Sequence, residues 1–224
     1  MAEREPPRAR RAEQLLPVGA LAMSALVEIL KYAAKRFAVP ALLCAAEKML
    51  LPKYAPALLA PSTVMGLPKA FGLVCLINVV GSGLFTVVLG FKVGSARSKF
   101  VDKAQKDGDE DAEARFSYPK MYAEGFSEHA RNFNCVQRAH QHTLETYPQI
   151  LAMSLVGGIG QPVTTALGGA LWIYARHKWA GGYATGDPKN RYEQSDGWGR
   201  HIWTALLMLT VAASSTGLQC LGAF

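Results

Sequence analysis

Cysteine is scarce and scattered. Cys44, Cys75, Cys135 and Cys220 form no CxxC pair anywhere in the 224 residues. That spacing argues against both a disulfide framework and a zinc site. Charge is missing from two long windows, residues 71–91 (FGLVCLINVVGSGLFTVVLGF) and residues 202–224, each close to the length of a membrane span. Internal repeats and long low-complexity tracts are also absent. The basic residues give a net charge of +7 and a pI near 9.3, but they lack interleaved aromatics and sit at the ends of apolar runs. Nucleic acid is therefore not the expected partner; the charges read as membrane topology.

What is present fits lipid. Half of the residues are hydrophobic and the mean hydropathy is +0.09, as expected for a bundle of spans carrying polar loops. A third apolar window, residues 162–183, is interrupted near its end by Arg176, His177 and Lys178. A fourth joins the polar block 133–148 (FNCVQRAHQHTLETYP) to the apolar run QILAMSLVGGI. These predict an all-α integral membrane four-helix bundle, because helices satisfy their own backbone in lipid. A soluble helical bundle is the competing class. Lys and Arg gather in residues 92–131 and again at Lys189, Arg191 and Arg200, whereas residues 157–161 carry no charge. The first and third loops are thus expected in the cytoplasm.

Residues 1–66 are read as an N-terminal extension and 67–224 as the four-span domain. Residues 1–14 are Arg-rich but also hold Glu3, Glu5 and Glu13, unlike an acid-poor transit peptide. Pro40, Pro52, Pro56 and Pro61 punctuate the rest. An interfacial helical hairpin over residues 18–51 is the first expectation, and a fifth span the second.

The polar block holds the chemistry. Arg138, His142 and Glu145 stand at i, i+4 and i+7, so a helix puts them on one face. Ionisable groups at membrane depth are expensive and face a partner, a cavity or a protein interior. Two readings stand: a polar ligand site, or a structural ion pair of Arg138 with Glu145. His140 and His142, two apart, lie on different faces, which argues against a metal chelate. Arg176 and Lys178 could snorkel to the interface, and Trp179 and Tyr183 could be belt aromatics. Cys135 is most simply a small apolar filler.

From about residue 67 onward the chain resembles the family of membrane-associated proteins in eicosanoid and glutathione metabolism (MAPEG). The residues carrying this are SARSKF (95–100), YPKMY (118–122), FNCVQRAHQHTLETYP, ALWIYAR (170–176) and GGYATGDPKNR (181–191), in the family's order. The resemblance implies a homotrimer that binds glutathione as co-substrate between neighbouring subunits, in the endoplasmic reticulum or another organelle membrane such as the mitochondrial one, with no metal. It also implies glutathione-facing positions at Arg97, Arg138, His140, His142, Glu145, Arg176 and Tyr183. Arg191 and Tyr183 would be the catalytic pair, Arg191 being aimed at the sulfur. Two departures stand out: His142 replaces the usual Asn, and Ser98 replaces a common second basic residue.

Glutathione demands such residues. It has two carboxylates, one ammonium and a thiol, so its site needs Arg for the acids and a carboxylate for the amine. The expected function is a glutathione transferase and peroxidase acting on lipophilic molecules from the bilayer. The rival is a non-catalytic scaffold or lipid-binding subunit of a larger membrane complex. A channel ranks third, since one polar face per subunit makes a pocket more readily than a pore.

Overall fold

The computed structural model describes residues 18–223, and the Arg-rich stretch 1–14 lies outside them. Among these residues there are helices and turns but no β-strand. Contacts divide the chain into two compact units, Met1–Arg36 and Phe37–Phe224. This division falls earlier than residue 66/67, where the sequence changes character.

Five long helices carry the architecture. Helix α1 is Val18–Tyr54. The hairpin expected over residues 18–51 is corrected here: the segment is one helix, and neither Pro40 nor Pro52 breaks it. Within the first unit, the described side chains of Val27, Lys31, Ala34 and Arg36 are exposed. Within the second, Val39, Leu42, Met49, Leu50 and Tyr54 of α1 are exposed, while Pro40, Cys44 and Glu47 are buried. After α1 come a short turn of helix at Pro56–Leu59 and a bridge between Pro61 and Pro68.

Helix α2 spans Phe71–Lys106, with a π-helical stretch at Cys75–Gly81. It runs on well past the uncharged window, so the first polar loop starts at Asp107 instead of Lys92. The loop ends at Ser127, whose hydroxyl accepts the Ala130 N–H at 3.1 Å and caps helix α3, Glu128–Gly160. Helix α4, Pro162–Tyr183, starts one residue later with Pro162 in its first turn. Only Gln161 separates the two, fewer residues than the turn 157–161 expected. Helix α5 is His201–Cys220, preceded by a 3-10 turn at Trp198–Arg200.

Helix α3 packs on α2, α4 and α5, and α4 packs on α5. Small residues allow this closeness. A Cβ on Gly157 would stand 3.0 Å from Ala212, and one on Gly169 would collide with the Asn78 side chain at 2.0 Å. Association through small residues is the usual means of packing helices where lipid removes the hydrophobic drive. Asn78, fully buried, ties three helices together by donating to Ser154 Oγ and to the Thr165 carbonyl, both at 2.9 Å. Trp172, Ile150, Ala205 and Leu209 fill the middle. Phe100, Phe116 and Phe133 fill the end beneath the first loop, with centroids 5.7–6.5 Å apart.

Helices Phe71–Lys106 and Trp198–Cys220 are long and apolar enough to cross a membrane. Leu76, Leu84, Val87 and Phe91 are exposed along the first. Large apolar side chains facing outward in such numbers mark a surface meant for lipid or protein.

Candidate functional site

Helix α3 presents the polar block along two faces. On one, Arg138 Nη1 donates to Glu145 Oε1 at 2.6 Å, across two helical turns. The side chains of this pair are 36% and 45% exposed. The ion pair is therefore a partner set within one helix, and it is open to whatever lies outside the chain. Tyr122, on the first loop, hydrogen-bonds Gln141 close by.

Beside it, α4 contributes Arg176, buried to 2% exposure between Trp172 and Trp179, whose rings lie 5.5 and 5.0 Å from the guanidinium carbon. Arg176 Nη1 donates to His142 Nδ1 and Nη2 donates to Thr146 Oγ1, both at 3.1 Å. Arginine has no acceptor, so the contacted ring nitrogen of His142 is the unprotonated one. Arg176 Nε is buried and unpartnered. The row continues along α4: the Trp179 ring lies 5.1 Å from that of His142 and 5.1 Å from that of Tyr183, tilted against both. Arg191 then sits over the Tyr183 ring at 5.6 Å and the Tyr192 ring at 5.1 Å, its guanidinium donating to the Pro188 carbonyl.

The third loop is held against α4 by a close approach. A Cβ on Gly182 would stand 2.2 Å from the Asn190 carbonyl oxygen, so only glycine lets the loop lie where Arg191 reaches Tyr183. Gly186, at φ +94°, supplies the left-handed turn just before it. Tyr192 lies in the short helical turn Asn190–Glu193. Burial alone would raise its phenol. Neighbouring donors, the Arg191 guanidinium among them, outweigh it and hold the phenol below its ordinary value.

Six of the residues expected from sequence are thus linked in one constellation. Arg138 and Glu145 pair; Arg176 holds His142; Arg191 covers Tyr183; and the charges of Arg176, Arg138, Glu145 and Arg191 all reach His142. Two others stand elsewhere in the chain. Arg97 is buried on α2, donating to the carbonyls of Phe116 and Lys120 at 2.6 Å each, between the rings of Tyr118 and Phe133. It anchors the first loop. His140 faces α2, where a Cβ on Gly90 would meet its ring at 3.6 Å. Cys135 is buried on the same helix, as a filler is.

A family model, that of the MAPEG family, matches residues 75–215, well over half of the chain. The chain belongs to the MAPEG family. With the two apolar helices, that membership makes it a membrane protein. The match takes in α2 from Cys75 onward, all of α3 and α4, the third loop and most of α5, so every residue of the constellation lies inside it. Helix α1 lies outside it.

Sequence reasoning passed over Thr146, Tyr192 and Glu47. Thr146 could have been found, since it lies four residues after His142 on the same face. Tyr192 had only its adjacency to Arg191. Glu47 is buried and accepts the N–H groups of Val163 and Thr164 at 2.8 and 2.7 Å, capping α4 from a helix more than a hundred positions away. No local pattern signals that.

Proposed function

We propose that this MAPEG protein is a membrane-embedded glutathione transferase and peroxidase, of the microsomal glutathione transferase type 3 kind. In this reading α2, α3, α4 and α5 all cross the bilayer, of the endoplasmic reticulum in the first instance. Three copies would assemble with glutathione between neighbours. Arg97 and His140, turned to other neighbours within one chain, would enter the site only from an adjoining subunit.

The observation that carries the proposal is the charge and disposition of the constellation. Three guanidinium groups (Arg138, Arg176, Arg191) and one carboxylate (Glu145) lie along two adjacent helices and the loop that follows. They leave two positive charges over. Glutathione with its thiol ionised carries two carboxylates, one thiolate and one ammonium, hence two negative charges. The Arg138–Glu145 pair is no obstacle. Partly exposed ion pairs are worth about 0–1 kcal/mol, so a ligand that brings a carboxylate to Arg138 and an ammonium to Glu145 exchanges one pair for two. The unpartnered Arg176 Nε has hydrogen-bonding capacity left over.

Chemically, the thiol is the issue. A free cysteine thiol titrates near pH 8.5, leaving a few per cent thiolate at neutrality. Arg191 over Tyr183 offers a cation and a phenolic donor. Lowering the thiol by one to two units corresponds to about 1.4–2.7 kcal/mol of preferential thiolate stabilisation. The thiolate then attacks an electrophilic carbon, forming a C–S bond as the leaving group departs. With a lipid hydroperoxide it attacks the peroxide oxygen instead, giving an alcohol and a sulfenic acid that a second glutathione reduces to disulfide and water. Holding both reactants in one groove adds acceleration by proximity.

The test is spectroscopic. Detergent-solubilised protein mixed with glutathione is expected to show ultraviolet thiolate absorbance, and an Arg191→Ala variant to lose it while still binding glutathione. Absence of the signal in the unaltered protein at saturating glutathione would remove the enzymatic reading and leave the scaffold.

A further inference from the structure

Outside the constellation, the outward surface of α2 changes character at one point. Leu73, Leu76, Val80, Leu84 and Phe91 are exposed along its first part. From Leu73 to Phe91 the axis runs about 27 Å at 1.5 Å per residue, close to a hydrocarbon thickness of about 30 Å. Lys92 follows at once, and beyond it stand Lys99, Lys103 and Lys106, all exposed. These four recur at i, i+7, i+11 and i+14, which at 100° per residue places them within about 60° of arc. Ser95, also exposed, lies on the same stripe between the first two.

Among the described residues none of the four lysines forms an ion pair. Lys99 Nζ and Lys103 Nζ lie 5.8 and 5.9 Å from the Phe100 ring centroid, at the outer limit of a cation–π contact. Two acids at the start of the first loop are engaged elsewhere, Asp107 by His129 at 2.6 Å and Asp109 by Arg115 at 3.2 Å. Asp102 flanks the stripe, so four lysines less one acid leave three positive charges. Lysines that only set topology need no common helix face. The direction of the stripe selects its partner. It climbs from the end of the apolar surface along the helix axis, about 21 Å from Lys92 to Lys106. A layer of singly charged headgroups is about 5–8 Å deep on each side of the core, too shallow to reach past Lys99. One headgroup that carries several phosphates above its glycerol reaches further.

We propose that this face of α2 binds a polyphosphorylated inositol phospholipid from the leaflet on the first-loop side. The acyl chains would lie along Leu84, Val88 and Phe91. The phosphodiester would sit at Lys92 and Ser95, and the ring phosphates at Lys99 and Lys103. Lysine serves phosphate as a point charge, and basic clusters just outside a membrane helix are where anionic lipids are recognised. The site needs only that α2 crosses the bilayer, and it is independent of the glutathione reading.

The experiment uses the full-length protein in neutral detergent and a fluorescent dioctanoyl phosphatidylinositol bisphosphate, read by anisotropy. Saturable binding is expected, and added salt is expected to weaken it. Dioctanoyl phosphatidylserine is expected to compete roughly tenfold less well. The double change Lys99→Gln, Lys103→Gln is expected to weaken binding about twentyfold, the worth of two lysines at an anionic surface. Lys99→Arg with Lys103→Arg keeps the charge and is expected to change affinity less than about twofold on the same scale. Lys69→Gln with Lys189→Gln removes as much charge away from the stripe and is expected to do no more. An equal loss in that last variant would show a diffuse charge effect and overturn the proposal. So would equal competition by phosphatidylserine, or no binding to the unaltered protein. Free inositol trisphosphate binding as tightly as the lipid would assign the stripe to a soluble polyanion and overturn it too.

Discussion

At the residue scale, the site is a set of charges whose partners are exchangeable to different degrees. Arg176 is fixed from both sides by tryptophan and from below by His142 and Thr146. Glu145 and Arg138 hold only each other, half in the open. The account assigns Glu145 to the glutathione amine, and this can be isolated. Glu145→Gln is expected to weaken glutathione about tenfold, the scale of one charged hydrogen bond. It is expected to leave a des-amino analogue of glutathione unaffected, as read by competition binding. Equal loss for both ligands would show that the change is merely structural. The face bearing Arg138, His142 and Glu145 was legible because helical spacing alone puts them together. Arg176 against His142, and Glu47 against Val163, were not, because those pairings join different helices and no local rule brings them together.

At the element scale, two helices outran their sequence signals. Helix α2 continues to Lys106 because Lys, Arg and Ala are good helix formers, so the uncharged window marks its apolar part and not its end. Helix α1 passes through Pro40 and Pro52, residues whose missing N–H suggested a break. The turn between α3 and α4 shrank to Gln161, since glycines 157, 158 and 160 stay helical where α5 and α2 crowd them. A like crowding at Gly182 sets the third loop. Gly182→Ala is expected to displace residues 190–191 and with them Arg191. Thiolate formation with bound glutathione should then drop, while glutathione affinity, carried by α3 and α4, changes less than twofold. Loss of affinity equal to that in Arg138→Ala would place Arg191 among the binding groups instead.

At the scale of the whole molecule, the family match and the apolar helices establish the membrane class, which composition had suggested. Assembly is the larger step. In the proposed assembly a neighbouring copy closes the open face of Arg138 and Glu145, and light scattering with detergent correction is then expected to give a trimer. A stable monomer that still binds glutathione would contradict the shared site. Binding itself is the most direct test of the central claim. Titration calorimetry of the solubilised protein should give saturable glutathione binding, with Arg138→Ala weakening it roughly tenfold or more. An unchanged affinity in that variant, or no binding heat in the unaltered protein at several temperatures, would contradict the account.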